Sequence, residues 1–261
     1  MPIDRENPWG AKVPENLTHS FKLFSSEAEI IEFSIVYLKA ADKLFEQHHE
    51  ELKEELKDFF LLQDNDVTDA VVDKIEEEGA RGVFSSATYE VLHSQMAFAR
   101  INDNFITYLK DLLGEVIKKQ PNILKSSKDK RTFEFISDFD DIDELKQKIA
   151  NQKIEELFYH GIDDIEQFFK DRLGIEIFGT EDERLDVSEF IQLRNSIVHN
   201  RGRVTEELKN NIRDLNLDIS DFVFIHLDKF SDLNIRLHNI AVEIDRKIAK
   251  KFDLDLIENP I

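Results

Sequence analysis

The spacing of apolar residues is the feature that most constrains the fold of this chain. Apolar side chains recur every three or four positions along most of its 261 residues, for example at Leu237, Ile240 and Ile244. That spacing is typical of a helix with one buried face, and the closely spaced alternating strands of a β fold are lacking. The chain has 21 phenylalanines to fill a core but only eight glycines and five prolines to interrupt helices. The sequence therefore predicts an all-α protein.

Proline placement indicates the domain organisation. Three of the five prolines lie within residues 1–24, which are expected to form an irregular N-terminal arm. The remaining residues, 25–261, are expected to form one helical domain, long enough to bury a large core. Within it, the segment 121–132 begins with a proline and contains a polar loop over 126–131, so it is a candidate hinge.

Capping residues and apolar stripes predict the helices of the domain. Ser26 and Glu29 fit a capping box that opens a first helix, which ends at the turn-rich segment 64–66. Further helices are predicted over 67–78, 85–119, 140–171, with a break at Gly161, and 221–251. The side chains assigned to the core are Ile30, Phe33, Tyr37, Ala41, Leu44, Leu52, Leu56 and Phe59 in the first helix, Leu92, Met96, Ala99, Phe105, Leu109, Leu112 and Val116 in 85–119, and Leu227, Phe230, Leu237, Ile240, Ile244 and Ile248 in the last.

The charge of the chain limits what it can bind. With 34 basic and 55 acidic residues, its net charge of −21 repels polyanions at long range and argues against indiscriminate nucleic-acid binding. Positive charge is nevertheless concentrated in two islands, either of which is a focused phosphate site or ordinary solvated surface. The first island comprises Lys118, Lys119, Lys125, Lys128, Lys130 and Arg131, and the second comprises Arg194, Arg201, Arg203, Lys209 and Arg213.

Several classes of site are excluded or disfavoured by composition. The chain has no cysteine, which excludes disulfides, thiolate zinc sites and cysteine nucleophiles and is compatible with a reducing cytoplasm, the expected location. It has no apolar run of membrane-spanning length and no signal-peptide pattern, so no membrane association is expected. The pair His48 and His49 projects about 100° apart on a helix and has no second cluster of ligands, so no metal site is predicted. No glycine-rich phosphate loop is present, and no cofactor is expected.

The most informative local pattern is the stretch from Arg194 to Val204. Asp186 as N-cap, Glu189 three residues later and Gly202 as the C′ residue predict a helix over 187–200. Thr205 with the two following glutamates then opens a short helix.

Within that helix, Asn195 and His199 are four residues apart and share one face. Arg194 lies about 100° from Asn195 and about 140° from His199 around the helix axis, so only its length lets it reach toward the histidine. A second copy of the helix across a two-fold axis would bring another arginine and histidine to the same groove. The geometry therefore favours a composite site in a homodimer.

The pattern Arg-Asn-x-x-Val-His-Asn-x-Gly over residues 194–202 resembles the motif of the HEPN family, the higher eukaryotes and prokaryotes nucleotide-binding domains. The resemblance implies a bundle of long antiparallel helices with additional short helices. It also implies a metal-free ribonuclease site in which Arg194, Asn195 and His199 are the catalytic residues, and a homodimer whose two motifs line a shared cleft. Many bacterial members of the family act as toxins or antiviral effectors held silent by a partner, so an inhibitory partner protein is expected as well.

The chemistry of these residue types suits RNA cleavage. RNA carries its own nucleophile, the 2′-hydroxyl, so that an enzyme needs only to move protons and stabilise the charge that builds up on the phosphate. Histidine can act as general base or acid, and arginine presents a planar fork of donors to phosphate oxygens. The expected products are a 2′,3′-cyclic phosphate and a 5′-hydroxyl. Arg201, Arg203 and Lys209 are the predicted RNA-phosphate contacts just beyond the motif.

A second function of a different class remains open. Arg194 and His199 would also complement the dipole at the C-terminal end of a packed helix without any catalysis. The chain would then be a non-catalytic HEPN-like interaction or nucleotide-sensing module, such as an adaptor or an antitoxin-type partner. Its negative charge would in that case provide a surface for a basic partner.

Overall fold

The computed structural model describes residues 14–61, 73, 87–125, 135–136, 139, 141–159, 161–213, 215–225 and 229–258. These residues are mostly helical, which confirms the all-α prediction. The helices are α1 (His19–Leu61), α2 (Ala87–Lys119), α3 (Ile142–Tyr159), α4 (Ile162–Phe168), α5 (Glu181–His199), α6 (Glu206–Asn211) and α7 (Phe230–Phe252), with a 3₁₀ turn at Pro121–Leu124 and a π turn at Phe169–Leu173. Two short strands, β1 (Asn16–Leu17) and β2 (Ile257–Glu258), pair antiparallel with Asn16 opposite Glu258.

The described chain divides into two compact units. The first comprises Met1–Ala28, Ile101–Gln192 and Leu233–Ile261, and the second comprises Glu29–Arg100 and Leu193–Asp232. The core of the first unit contains an aromatic cluster in which Phe21 meets Tyr108 edge to face at 5.9 Å and His238 at 5.2 Å. The core of the second unit includes the cluster Val204, Leu208, Ile212 and Val223, on which Leu193 and Ile197 pack.

A buried polar cluster fixes the start of α1 in the first unit. Thr18 donates both its backbone N–H, at 3.1 Å, and its hydroxyl, at 2.5 Å, to the carboxylate of Asp245. The same hydroxyl oxygen accepts from the N–H of Phe21 at 3.1 Å, which makes Thr18 the N-cap of α1. The hydroxyl of Tyr108 donates to the carbonyl of Ala241 at 3.0 Å and lies 3.5 Å from Asp245 Oδ1. We call Thr18, Tyr108 and Asp245 the N-terminal carboxylate cluster.

The capped start at Thr18 corrects the prediction that the first helix opens at Ser26. Ser26 lies inside α1 and is exposed. The predicted inward stripe is also wrong, since Ile30, Phe33, Tyr37 and Leu44 are 55–74% exposed. The buried residues are Phe21, Phe24, Ala28, Ile31 and Ile35. The two stripes lie on opposite sides of the helix, and periodicity alone cannot tell which apolar side is packed.

The helix α2 shows a similar shift only in its first half. Leu92 and Met96 are exposed, whereas the polar Gln95 is buried beside Phe98. From Phe105 onward the prediction is confirmed, because Phe105, Leu109, Leu112 and Val116 are all buried. The apolar stripe therefore predicts the buried face in the second half of α2, whereas in its first half the buried position is taken by Gln95, whose amide bonds two backbone carbonyls.

The last helix begins later than predicted. α7 starts at Phe230 rather than near 221, because the segment before it is extended and Phe222 forms an isolated antiparallel bridge with Arg203. Its predicted core residues Phe230, Leu237, Ile240, Ile244 and Ile248 are buried as expected. The predicted break at Gly161 is confirmed, with α3 ending before it and α4 starting after it. The turn at 64–66, the helix over 67–78 apart from residue 73, Leu227 and the hinge residues 126–132 lie outside the described residues, as do the side chains of Leu52, Leu56 and Phe59.

Candidate functional site

The helix that carries the motif, α5, begins earlier than its sequence indicated. The side-chain oxygen of Thr180 accepts from the N–H of Glu183 at 3.2 Å, and Glu183 Oε2 accepts from the N–H of Gly179 at 2.8 Å. These two bonds satisfy N–H groups at the helix start, so the helix begins at Glu181. Asp186, the predicted N-cap, lies within α5 and pairs with Arg236. The N-terminal cap predicted for Asp186 and Glu189 is therefore formed upstream, by Thr180 and Glu183.

The C-terminal end of α5 is built as predicted, around Gly202. The N–H of Gly202 donates to the carbonyls of Ser196 and Ile197, both at 3.1 Å. Gly202 has a φ of 68°, and Arg201 before it has a φ of 56°, so two successive residues are left-handed. Left-handed backbone at a helix end favours glycine, which has no Cβ to clash with the carbonyl.

Gln95 of α2 holds this helix end from the inside. Its side-chain amide donates to the carbonyl of Val223 at 3.0 Å and to that of Gly202 at 3.4 Å. A Cβ at position 202 would overlap the carboxamide of Gln95. The hydroxyl of Ser196, itself buried, donates to the carbonyl of Arg203 at 2.7 Å. We call Gln95, Ser196, Gly202 and Val223 the motif turn.

The predicted catalytic residues lie on the more exposed surface of the same helix end. Asn195 and His199 are exposed, and Arg194 is half-buried. Arg194 Nη1 donates to Asn195 Oδ1 at 3.1 Å, which holds the arginine beside the amide. Ser196 and Ile197, between them in sequence, face the interior and anchor the helix. The motif therefore combines an anchored inner face with an accessible outer face.

One chain does not bring the arginine and the histidine together. Within the described residues, the imidazole of His199 makes no hydrogen bond, ion pair or ring contact, and Arg194 donates to Asn195. This arrangement agrees with the angular separation expected from helical geometry. Direct cooperation between guanidinium and imidazole would have to come from a bound substrate or from a second chain.

The predicted RNA contacts differ in their availability. The guanidinium of Arg203 lies 4.2 Å from the ring centroid of Phe222 and donates to the carbonyl of Ser220 at 2.8 Å. Lys209 Nζ lies 2.9 Å from Asp218 Oδ1, and this hydrogen bond lowers the pKa of Asp218. Arg201 is exposed and has no such partner among the described residues. Arg203 and Lys209 thus brace the chain that follows the motif, while Arg201 is open to a ligand.

Sequence reasoning missed the residues that support the site. Gln95 lies far away in sequence and directly follows two other polar residues, His93 and Ser94, so nothing in the local sequence distinguishes it. Phe222 lies inside the helix predicted over 221–251, although the segment from Phe222 to Ile225 is β-prone in composition. Gln95 binds backbone carbonyls and Phe222 stacks with Arg203, and neither contact can be predicted from a local sequence pattern.

The chain was compared with protein families, with curated proteins and with solved structures. No family model matches the chain, and no curated protein or solved structure matches it significantly either. Within the part of the chain that the structure describes, no helix is long and apolar enough to cross a membrane.

Proposed function

We propose that this protein is a metal-independent endoribonuclease that cleaves RNA by attack of the 2′-hydroxyl, leaving 2′,3′-cyclic phosphate and 5′-hydroxyl ends. The observation that carries the proposal is the outer face of α5, where Asn195 and His199 are accessible and Arg194 is held beside them by a hydrogen bond of 3.1 Å. The same three residues carry the resemblance to HEPN ribonucleases.

Each side chain has a role that its surroundings permit. The exposed imidazole of His199 can take the proton from the 2′-hydroxyl or give one to the 5′-oxygen, a contribution of about 10²–10⁴-fold. Arg194 places one of its five N–H donors on Asn195, and its planar guanidinium is suited to binding phosphate oxygens as well. Because Asn195 accepts from Arg194 through Oδ1, its amide nitrogen can donate to the same phosphate. Arg201, exposed just beyond the helix, supplies a further phosphate contact.

The rigid support of the motif favours this role. Catalytic groups must be held close to their productive geometry by the elements that carry them. Ser196 and Gly202, through the motif turn, fix the last turn of α5 with buried hydrogen bonds that do not use the proposed catalytic side chains. The outer face can therefore bind substrate without unravelling the helix end.

A homodimer completes the proposed site. Since His199 has no contact with Arg194 within a chain, a second α5 across a two-fold axis would set each histidine near the arginine of its partner. Val198, which lies between the catalytic residues on the helix surface, is 48% exposed and supplies an apolar contact for such an interface. An inhibitory partner and a role in toxin or antiviral defence belong to the same proposal.

The test is cleavage of a defined single-stranded RNA by the full chain in the presence of EDTA. We expect cutting by the wild type, and loss of at least about 100-fold in rate for His199→Ala and for Arg194→Ala, because each removes a group that acts in the transition state. Matched controls are His19→Ala and Arg246→Ala, which remove an exposed histidine and an exposed arginine from the first unit. Replacing the ribose at the cut site by deoxyribose should abolish cleavage.

Two results would contradict the nuclease. Activity that disappears with EDTA would point to a metal-bound nucleophile, and activity that survives both substitutions would place the chemistry elsewhere. Sedimentation of the variants separates loss of catalysis from loss of the dimer.

A second candidate function rests on the outer stripe of α1. Ile30, Phe33, Tyr37 and Leu44 expose more than half of their surface on the side of the helix away from its buried stripe. Exposed apolar side chains in a row are typical of protein interaction surfaces. A non-catalytic interaction module, such as an adaptor or antitoxin-type partner, would show no RNA cleavage and would lose its partner on Phe33→Glu but not on His199→Ala.

A further inference from the structure

A cavity in the first unit collects lysines from three elements. It has a volume of about 620 Å³ and lies among the end of α2, the 3₁₀ turn at Pro121–Leu124 and α3. Its lining includes four lysines, Lys118, Lys125, Lys146 and Lys153, and one acid, Asp143. In a chain with 55 acidic and 34 basic residues, such a local excess of positive charge is unusual. Two of these lysines belong to the first basic island of the sequence.

Two of the four lysines have structural partners. Lys153 Nζ donates to the carbonyl of Leu124 at 2.6 Å, and Lys146 Nζ lies 2.8 Å from Asp143 Oδ1. Arg172 Nη1 also donates to the carbonyl of Lys125 at 3.3 Å. Lys153 and Arg172 thus bind the carbonyls at the end of the 3₁₀ turn. Burial lowers the pKa of Lys153, and the positive charge of Arg172 lowers it further.

The other two lysines are available. Within the described residues, no ion pair or hydrogen bond engages the ammonium group of Lys118 or Lys125, and both side chains are exposed. The neighbouring Lys119 differs, because its Nζ lies 3.0 Å from Asp255 Oδ1. Lys118 lies close enough to Asp111 to interact with it electrostatically, but neither Lys118 nor Lys125 forms an ion pair or a hydrogen bond through its ammonium group beside the cavity.

The uncharged part of the lining is mostly apolar, with Asn122 and Gln147 as its two polar residues. Ile117 and Ala150 are buried, and Leu124 and Ile149 are half-buried. Ligand pockets of about 300–1,000 Å³ are mostly apolar with a few polar groups that orient the ligand. The buried apolar residues and the exposed lysines thus suit a molecule with an apolar body and an anionic head.

We propose that this cavity binds an organic phosphate monoester, with the phosphate on Lys118 and Lys125 and the organic body against Ile117, Leu124 and Ile149. A phosphate monoester carries between one and two negative charges near neutral pH, which matches two free ammonium groups. A carboxylate would satisfy only one of them. The site belongs to the first unit, and its existence does not depend on RNA cleavage by the motif in the second.

The experiment is calorimetric titration of the full chain with octyl phosphate, phenyl phosphate and AMP. We expect at least one of these monoesters to bind with a Kd below about 1 mM, and at least about tenfold more tightly than inorganic phosphate, adenosine or octanoate. The double variant Lys118→Gln/Lys125→Gln should weaken that binding at least about tenfold, since each lysine supplies a charge-assisted hydrogen bond. Lys119→Gln, one residue away but outside the cavity, is the matched control and should bind as the wild type does.

A second variant tests the apolar half of the site. Ile149→Ala should weaken binding of the monoester while leaving the weak binding of inorganic phosphate unchanged, because only the organic body contacts this side chain. The proposal is overturned if none of the three monoesters binds more tightly than inorganic phosphate. It is equally overturned if the double lysine variant, folded by circular dichroism, binds them as the wild type does.

Discussion

The N-terminal carboxylate cluster of the first unit and the motif turn of the second solve the same problem with different chemistry. Each satisfies backbone groups at a helix end with buried side chains, at the start of α1 in one case and at the end of α5 in the other. The first uses an ionisable group, the carboxylate of Asp245, whereas the second uses only an amide and a hydroxyl. The difference teaches that the support of the candidate site is insensitive to pH, while the support of α1 is not.

The same comparison shows that a shifted pKa need not mark a catalytic residue in this protein. Burial raises the pKa of Asp245 to about 6, yet its contacts are all explained by capping Thr18 and approaching Tyr108. The proposed catalytic side chains, in contrast, lie outside the buried network that supports them. A shifted buried carboxylate is therefore a structural feature here, and the accessible face of α5 is the better candidate for chemistry.

The largest effect is expected from Gly202→Ala in the motif turn. The new side chain must adopt left-handed backbone and displace the amide of Gln95, which together cost about 3 to 4 kcal/mol of the free energy of unfolding. Urea unfolding measures this change in the free energy of unfolding. Gly114→Ala in α2 is the matched control, because no atom lies within 4 Å of its new Cβ, and it should be neutral or slightly stabilising. Equal stability of the two variants would show that the turn is not packed as described.

The pH dependence of stability comes next and distinguishes the two clusters directly. Because the pKa of Asp245 rises from 3.8 to about 6 on folding, its contribution is fully present below about pH 4 and is lost as the pH rises to 6. The loss amounts to about 3 kcal/mol. In Asp245→Asn this loss should be absent, so the wild type should lose about 3 kcal/mol of stability relative to the variant between pH 4 and 7. Parallel curves between pH 4 and 7 would contradict the assignment.

A smaller effect is expected from the cap of α1. Thr18→Val removes the hydroxyl that donates to Asp245 and accepts from the N–H of Phe21, so it should lower the free energy of unfolding by about 2 kcal/mol. Thr180→Val removes the exposed cap of α5 and should cost only about 1 kcal/mol, since water can replace its hydrogen bond. Denaturant titration measures the free energy of unfolding of both variants. A larger loss for Thr180→Val than for Thr18→Val would contradict the expectation that the buried cap contributes more.

The smallest effect is expected from the brace beside the motif turn. Arg203→Lys loses the planar stack on Phe222 and the hydrogen bond to Ser220, at a cost of about 1 kcal/mol. Arg246→Lys, on an exposed arginine paired with Glu243, is the control and should change thermal stability little. An unchanged midpoint of thermal unfolding for both variants would contradict a stabilising role of Arg203.

Local patterns predicted some elements well and others poorly. The helix end at Gly202 and the short helix opened by Thr205 were predicted because their backbone requirements select particular residues locally. The start of α1 was not, because Thr18 caps the helix through a bond to Asp245, 227 residues away. The buried face of α1 was also predicted wrongly, since the helix carries apolar residues on both sides.

By itself, the sequence determined the all-α class, most of the buried residues from Phe105 onward in α2 and in α7, and a motif helix that places Asn195 and His199 on one face. These features follow from helical periodicity, which acts within a few residues. Only the tertiary structure decided which side of α1 is covered, which residue supports Gly202, and which lysines meet around a cavity. Those outcomes depend on contacts between distant segments, because burial and hydrogen-bond satisfaction are set by what the fold brings together.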